Sequence, residues 1–206
     1  KVIKHALDLG INFFDTANCY SAGTSEEYLG QALKKNVARD KVVIASKVYF
    51  NEGRLSKAAI EREIDGSLKR LGTDYLDLYI IHRFDFDTPI EETMGALADI
   101  VRQGKALYVG ISNYDADQTR KALAVLKEHK VPCLIHQARY SMFDRWTEPD
   151  LLPVLKEEGV GMIAFSPLAQ GLLTDKYLRG IPENSRAAKS TGHLQTSQVT
   201  PEAVEK

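Results

Sequence analysis

Four side chains able to carry or stabilise a proton follow apolar runs in the first half of the chain. Asp15 and Tyr20 follow INFF, Lys47 ends KVVIASK, and His82 follows LDLYII. A phenol titrates near pKa ~10, and a cation a few ångströms away lowers that pKa by stabilising the phenolate. We therefore expect Tyr20 to act as a general acid beside Lys47. Asp15 would keep Lys47 charged and oriented, and His82 would hydrogen-bond a carbonyl oxygen.

Each of these residues also has an ordinary structural interpretation. An Asp at a strand end often caps the next helix, a Lys there is usually solvated, and His and Tyr commonly pack in a core. The four residue types occurring together at strand ends favour the chemical interpretation.

Apolar runs alternate with amphipathic helical patterns along most of the chain. A helix over residues 1–10 precedes the strand INFFDTA, and another helix begins at Thr24 or Ser25 with two acids in its first turn. Further strands are predicted at 41–48, 76–83, 106–113, 133–140 and 161–169, with helices at 57–71, 90–103, 116–129 and 150–158. Strands that are apolar throughout, each followed by a helix, predict a parallel sheet covered on its outer face.

An open doubly wound sheet and a closed (β/α)8 barrel both satisfy this order of elements. Polar residues stand at or just past the ends of six successive strands: Asp15, Lys47, His82, Asn113, Gln137 and Ser166. A barrel brings all strand ends to one rim, whereas an open sheet gathers ligands near one switch point. The pattern thus predicts an α/β fold, a (β/α)8 TIM barrel over residues 1–206 as one partial domain. The first strand and everything after the seventh are missing or unrecognised, and residues 180–206 form a polar loop entering a helix near Thr200.

Composition excludes several classes of protein. The 206 residues carry a net charge of -1, with 44% hydrophobic and 27% charged residues. This balance is typical of a soluble globular protein and favours neither nucleic-acid nor membrane binding. Only Cys19 and Cys133 occur, which indicates a reducing cytoplasm rather than a disulfide framework. The histidines show no metal-ligand spacing with cysteines or acids, so no metal is expected.

The strings DTANCY, ASK and IIHR resemble the Asp, Tyr, Lys and His motifs of the aldo-keto reductase family. GKALYVGISNY, LIHQARYSMFDRW and IAFSPLAQGLLTDKY resemble its next three strands. LIHQ, DRW, SPLAQGLLT and GIPENSR resemble its bacterial L-glyceraldehyde 3-phosphate reductase branch, which is itself similar to the β subunits of voltage-gated potassium channels. The resemblance implies a (β/α)8 barrel that reduces carbonyl compounds with NADPH.

Carried over position by position, the resemblance implies Asp15, Tyr20, Lys47 and His82 as the catalytic residues. It also implies a set of cofactor-binding residues. Those at the nicotinamide carboxamide and ring are Ser112, Asn113, Gln137 and Phe165, the last with a plain core phenylalanine as an equal alternative. Those near the pyrophosphate and the other phosphates are Ser166, Pro167, Leu168, Gly171, Lys176, Tyr177, Ser185 and Arg186. A solvated surface loop is the alternative for the last four.

The predicted function is NADPH-dependent reduction of small aldehydes or ketones, with L-glyceraldehyde 3-phosphate and methylglyoxal as candidate substrates. The alternative is an NADPH-binding regulatory subunit resembling the channel β subunits. His82 discriminates the two, because those subunits are expected to carry Asn there. Homo-oligomerisation stays open. The residues expected to line the substrate pocket are Tyr49, Phe50, Arg83, Tyr140 and Trp146. Arg83 either meets a substrate phosphate or pairs with Asp85 or Asp87, and the pairing is favoured.

Overall fold

The computed structural model describes residues 1–190 and 192–205. Its strands are β1 Phe13–Asp15, β2 Val43–Val48, β3 Leu76–Ile81, β4 Ala106–Ser112, β5 Cys133–Arg139 and β6 Gly161–Phe165. Its α-helices are α1 Val2–Asp8, α2 Thr24–Asn36, α3 Lys57–Leu71, α4 Ile90–Arg102, α5 Ala116–Glu128, α6 Leu151–Glu158 and α7 Pro201–Val204. None of the helices in these described ranges is long and apolar enough to cross a membrane.

The six strands form one sheet in sequential order, and every neighbouring pair is parallel. An order without reversal has no switch point, which excludes the doubly wound alternative. The sheet is also curled. Gln137 Nε2 on β5 lies 3.4 Å from Asp15 Oδ1 on β1, although these strands would be roughly 19 Å apart in a flat sheet. The prediction of a partial (β/α)8 barrel is therefore confirmed.

Capping residues mark the ends of helix α3. Ser56 is its N-cap and accepts a hydrogen bond from the Ala59 amide at 3.4 Å, and Gly72 ends it with φ 65°. Ile60 and Ile64, one turn apart, are fully buried. They belong to the main hydrophobic core, which lies between the helices and the outer face of the sheet.

Both faces of the central strands are buried, and their side chains alternate between two apolar clusters. Tyr79 and Ile81 of β3 join the main core, whereas Leu78 and Ile80 join a small cluster that includes Ala45 of β2. The register pairs Ala45 with Leu78 and Lys47 with Ile80. Since side chains alternate along a strand, Lys47 shares the inner face with Ala45.

Strand β6 ends at Phe165, earlier than the predicted end at residue 169. Ser166, Ala169 and Gln170 have φ of 53°, 46° and 62°, so the backbone enters the left-handed region and cannot continue a strand. Beyond this loop, Tyr177, Ala187 and Leu194 form a small apolar cluster separate from the main core. The predicted helix near residue 200 is confirmed as α7, which Thr200 caps by accepting from the Ala203 amide.

Candidate functional site

An ion pair between a buried lysine and a partly exposed aspartate lies at the rim where the strands end. The Lys47 side chain is fully buried, and its Nζ donates to Asp15 Oδ2 at 2.6 Å and to the Thr16 carbonyl at 2.7 Å. Burial lowers the pKa of Lys47, and Asp15 partly offsets that shift. The predicted contact between Asp15 and Lys47 is therefore present. Thr16, which the sequence did not single out, contributes through its backbone, a group that every residue type carries.

Tyr20 begins a tight turn, Tyr20–Gly23, directly after the β1 loop, and Ser21 and Ala22 in this turn have left-handed φ of 49° and 53°. Lys47 Nζ lies 4.9 Å from the centre of its ring. The expected lowering of its pKa is wrong for this structure. Burial, followed by the charges of Asp15 and Cys19, raises the pKa of Tyr20 to about 12. The Tyr20 phenol thus keeps its proton throughout the neutral range, and its side chain, 39% exposed, is open to solvent.

His82 lies beside Tyr20, with ring centres 5.7 Å apart in an edge-on arrangement. Burial, followed by the charges of Lys47 and Arg83, lowers the pKa of His82 to about 4. The imidazole is therefore neutral at physiological pH and has one N–H to donate. The structure brings the Asp15, Tyr20, Lys47 and His82 side chains of three strand ends into one cluster.

Two further side chains contact His82. Cys19 Sγ lies 3.9 Å from His82 Nδ1, and the Phe50 ring packs edge-on at 5.2 Å. Phe50 was predicted to lie on the rim, whereas Cys19 was not. The signal for Cys19 was its position next to Tyr20 in the chain.

Three polar side chains of the predicted carboxamide site lie at the ends of β4 and β5. Asn113 Nδ2 donates to the His82 carbonyl at 3.1 Å and to Ser112 Oγ at 3.0 Å, and Gln137 reaches Asp15 as described above. Asn113 adopts φ 57°, a conformation that Asn tolerates better than most residues. Ser112 and Gln137 are nearly inaccessible. These residues are joined to the cluster around His82 by direct hydrogen bonds.

The loop after β6 contacts the segment that follows it. Arg186 Nη1 lies 3.4 Å from Gln170 Oε1. The half-buried side chains there include Phe165 and Ser166, and Gly171 packs close to the Tyr177 ring, while Pro167 and Leu168 are exposed.

The four residues predicted at the cofactor phosphates divide into two groups. Lys176 and Arg186 are exposed cations. Ser185 is fully buried and accepts from the Ala188 amide. Tyr177 is 2% exposed, and its hydroxyl is buried without a hydrogen-bond partner among the described residues. The two hydroxyl groups therefore face the interior in this arrangement, and the two cations face solvent.

The favoured pairing of Arg83 with Asp85 or Asp87 is wrong. Arg54 takes both carboxylates, at 3.5 Å from Asp85 Oδ1 and 3.0 Å from Asp87 Oδ2. Asp85 is held in its own loop, because it also accepts from the Asp87 amide at 3.1 Å and from Thr88 Oγ1 at 2.8 Å. This turn points its carboxylate inward, where Arg83 does not reach it.

Two other predicted pocket residues, Tyr140 and Trp146, lie on the loop between β5 and α6. Tyr140 donates to Glu148 at 2.7 Å, and Trp146 Nε1 donates to the Arg139 carbonyl at 2.9 Å. Trp146 also lines a groove of about 610 Å³ beside Asp115 and Asp150. That groove includes none of the four clustered residues, so it is separate from the candidate site. Within residues 1–190 and 192–205, no group of His, Cys, Asp or Glu is arranged to hold a metal ion.

Known proteins resemble this chain in both sequence and fold. The model of the aldo/keto reductase family matches residues 1–206. The chain is 46% identical over 198 residues to the L-glyceraldehyde 3-phosphate reductase of Escherichia coli K12, which covers 90% of this chain and 57% of that protein. It is 38% identical over 210 residues to a putative voltage-gated potassium channel subunit beta of Schizosaccharomyces pombe, covering 97% and 61%.

Two solved structures have the same architecture. A thermostable aldo-keto reductase, Tm1743, in complex with the inhibitor epalrestat superposes with a TM-score of 0.78 at 38% identity, covering 85% of this chain and 62% of that one. An aldo/keto reductase from Klebsiella pneumoniae in complex with NADP and acetate superposes with a TM-score of 0.73 at 38% identity, covering 82% and 57%. The chain thus spans less than two thirds of the length of each of these relatives.

Proposed function

The chain belongs to the aldo/keto reductase family, and from this premise we propose that the protein reduces small aldehydes and ketones to alcohols with NADPH. The observation that carries the proposal is the cluster in which the buried Lys47 ammonium lies 2.6 Å from Asp15 and 4.9 Å from the Tyr20 ring, with His82 beside that ring. A phenol, a cation and a neutral imidazole at one rim are the groups that a carbonyl oxygen needs as it gains charge.

In this mechanism, the side chains manage the charge on the substrate oxygen. His82 donates a hydrogen bond to the carbonyl oxygen and orients it toward Tyr20. As the carbonyl carbon accepts a hydride, its oxygen becomes alkoxide-like and is then a stronger base than a phenolate. Tyr20 Oη can therefore transfer its proton to that oxygen even though the pKa of Tyr20 is raised to about 12. Lys47 stabilises the phenolate left behind until solvent returns the proton, and Asp15 keeps the ammonium in place.

The donor set at the ends of β4 and β5 suits a nicotinamide carboxamide. Such an amide needs both donors and acceptors, and Ser112, Asn113 and Gln137 offer both. Asn113 uses its amide hydrogens on His82 and Ser112, which leaves its carbonyl as an acceptor. When bound, the reduced nicotinamide supplies the hydride that the carbonyl carbon accepts. Phe165 at the end of β6 is the proposed stacking partner of its ring.

The loop after β6 is the proposed position of the cofactor's pyrophosphate. Ser166, Ala169 and Gln170 adopt left-handed conformations that are costly for residues with a side chain, and such strain concentrates at ligand-binding loops. Pro167, Leu168 and Gly171 belong to the same loop. Exposed Lys176 and Arg186 are the proposed ligands of the cofactor phosphates, with Arg186 held against this loop through Gln170. Ser185 and Tyr177 then support the segment from inside rather than bind phosphate.

Candidate substrates follow from the relatives. One of them is named for reduction of L-glyceraldehyde 3-phosphate, so we propose that compound first and methylglyoxal second. Similarity to a channel subunit beta supports a regulatory alternative. The His82 imidazole beside Tyr20 favours the enzyme, because a protein that only binds the cofactor has no use for a hydrogen-bond donor at the carbonyl.

Tyr20→Phe tests the proposed function. Phe keeps the ring and deletes the proton, and loss of a general acid lowers kcat by typically 10²–10⁴-fold. The assay follows the loss of NADPH absorbance with each candidate aldehyde, and NADPH binding is titrated separately and should be unchanged. Tyr28→Phe is the matched control, since Tyr28 on α2 is 69% exposed. A Tyr20→Phe protein whose kcat is within about threefold of the wild-type value would show that Tyr20 is not the general acid.

A further inference from the structure

Arg83 is an exposed cation next to His82, and no carboxylate of residues 1–190 or 192–205 forms an ion pair with it. Arg54 occupies Asp85 and Asp87, the two acids nearest to Arg83 in the chain. In the part of the chain that the structure describes, the Arg83 guanidinium forms neither a hydrogen bond nor an ion pair with another residue. The guanidinium carbon lies over the face of the Phe50 ring, 5.6 Å from its centre.

Phe50 connects this guanidinium to the candidate site. The same ring packs edge-on against His82 with centres 5.2 Å apart. The charge of Arg83 is also felt at the imidazole, where it contributes to the lowered pKa of His82. Arg83 therefore stands on the side of the rim where the substrate oxygen is proposed to bind, next to His82.

Arg54 also ties the two loops that carry these residues. It belongs to the loop after β2, as Phe50 does, and it reaches the loop after β3, which carries Arg83. Its own φ of 40° is strained for a side-chain residue. These contacts fix the positions of the two loops that carry Phe50 and Arg83 relative to each other.

A guanidinium offers parallel N–H donors that match an oxyanion, and Arg on an aromatic face is desolvated on one side. We propose that Arg83 binds a phosphate or carboxylate carried by the substrate a few bonds from its carbonyl, which makes small anionic aldehydes the preferred class. The inference rests on the proposed reductase activity, which it deepens by naming the specificity-determining residue. The proposed cofactor ligands lie at the ends of β4 to β6 and beyond, so the anion near His82 belongs to the substrate.

Two pairs of aldehydes test the inference, each pair differing in its anionic group. Glyceraldehyde 3-phosphate is compared with glyceraldehyde, and succinic semialdehyde with butanal. Arg83→Gln should lower kcat/KM for the anionic member by about 10- to 100-fold, the value of a charge-assisted hydrogen bond, and change the neutral member by less than about twofold. Arg83→Lys should give an intermediate loss, because Lys keeps the charge without the fork. Arg120→Gln, an exposed residue of α5 that pairs with Glu157, is the matched control.

The outcomes separate this inference from the proposed function. Selective loss on one or both anionic substrates supports it and names the oxyanion. An equal loss of kcat/KM on charged and neutral aldehydes would show that Arg83 acts through His82. No loss on any aldehyde would show that Arg83 does not contact the substrate. Either result overturns the inference. If wild type reduces none of the four, the proposed function fails, and titration with inorganic phosphate decides for Arg83. Weaker phosphate binding by Arg83→Gln than by wild type would support an anion site at Arg83, and equal binding would refute that site.

Discussion

Replacing Lys47 by Met should destabilise the protein far more than replacing a lysine in an equally short but exposed ion pair. Lys47 Nζ and Lys57 Nζ both lie 2.6 Å from a carboxylate, Asp15 and Asp99 respectively. The Lys47 side chain is 0% exposed, whereas that of Lys57 is 52% exposed. Distance is thus matched, and burial is the variable.

The expected magnitude follows from what each substitution leaves behind. Lys47→Met leaves the Asp15 carboxylate and the Thr16 carbonyl without their donor, and breaking a buried pair costs about 3–5 kcal/mol in the free energy of unfolding. Because Asp15 is 29% exposed and water reaches it, we expect about 3 kcal/mol. Lys57→Met should cost less than about 1 kcal/mol, as exposed pairs do.

A double-mutant cycle isolates the ion pair. Asp15→Asn alone leaves a buried ammonium facing a neutral amide and should be at least as destabilising as Lys47→Met. The double variant removes both charges of this pair and preserves volume, so it should lose less stability than either single variant. Urea unfolding with the m-value checked measures all four proteins. Additive losses, or a Lys47→Met protein as stable as Lys57→Met, would refute the assignment of stability to this buried pair.

Two further predictions concern pH and cofactor choice. Burial lowers the folded-state pKa of His82 and His136 to about 4 from 6.5, so unfolded chains take up protons first as pH falls and stability drops. Each histidine should lower the free energy of unfolding by about 2 kcal/mol between about pH 7 and pH 5. Urea unfolding of His136→Gln should show a weaker dependence of this free energy on pH than wild type does. A wild-type free energy that does not change with pH would contradict the prediction. Arg186→Ala should weaken NADPH by about 1.5–3 kcal/mol and spare NADH, with Lys176→Ala acting in the same direction; fluorescence titration measures both, and equal weakening of the two cofactors would reject the phosphate contact.

Much of the fold was predictable because hydrophobic periodicity is local. The helix over 57–71 was predicted at its observed bounds, Lys57–Leu71, and strand ends elsewhere moved by a few residues. The end of strand β6 moved furthest, by four residues, since left-handed conformations at Ser166 and beyond follow from tertiary packing and leave little trace in residue type. The polar residues at strand ends identified the rim, because parallel strands all point their carboxyl ends the same way.

Partners and protonation were less predictable, since both depend on distances between segments far apart in the chain. Sequence alone determined which residues stand at the rim, including Tyr20, Lys47 and His82. Only the tertiary structure showed that burial raises the pKa of Tyr20 to about 12 despite the nearby ammonium, because the desolvation of a phenolate depends on everything packed around it. Only the tertiary structure assigned Asp85 to Arg54 rather than to Arg83, because a turn of the loop after β3 directs that carboxylate inward toward a cation from another strand end.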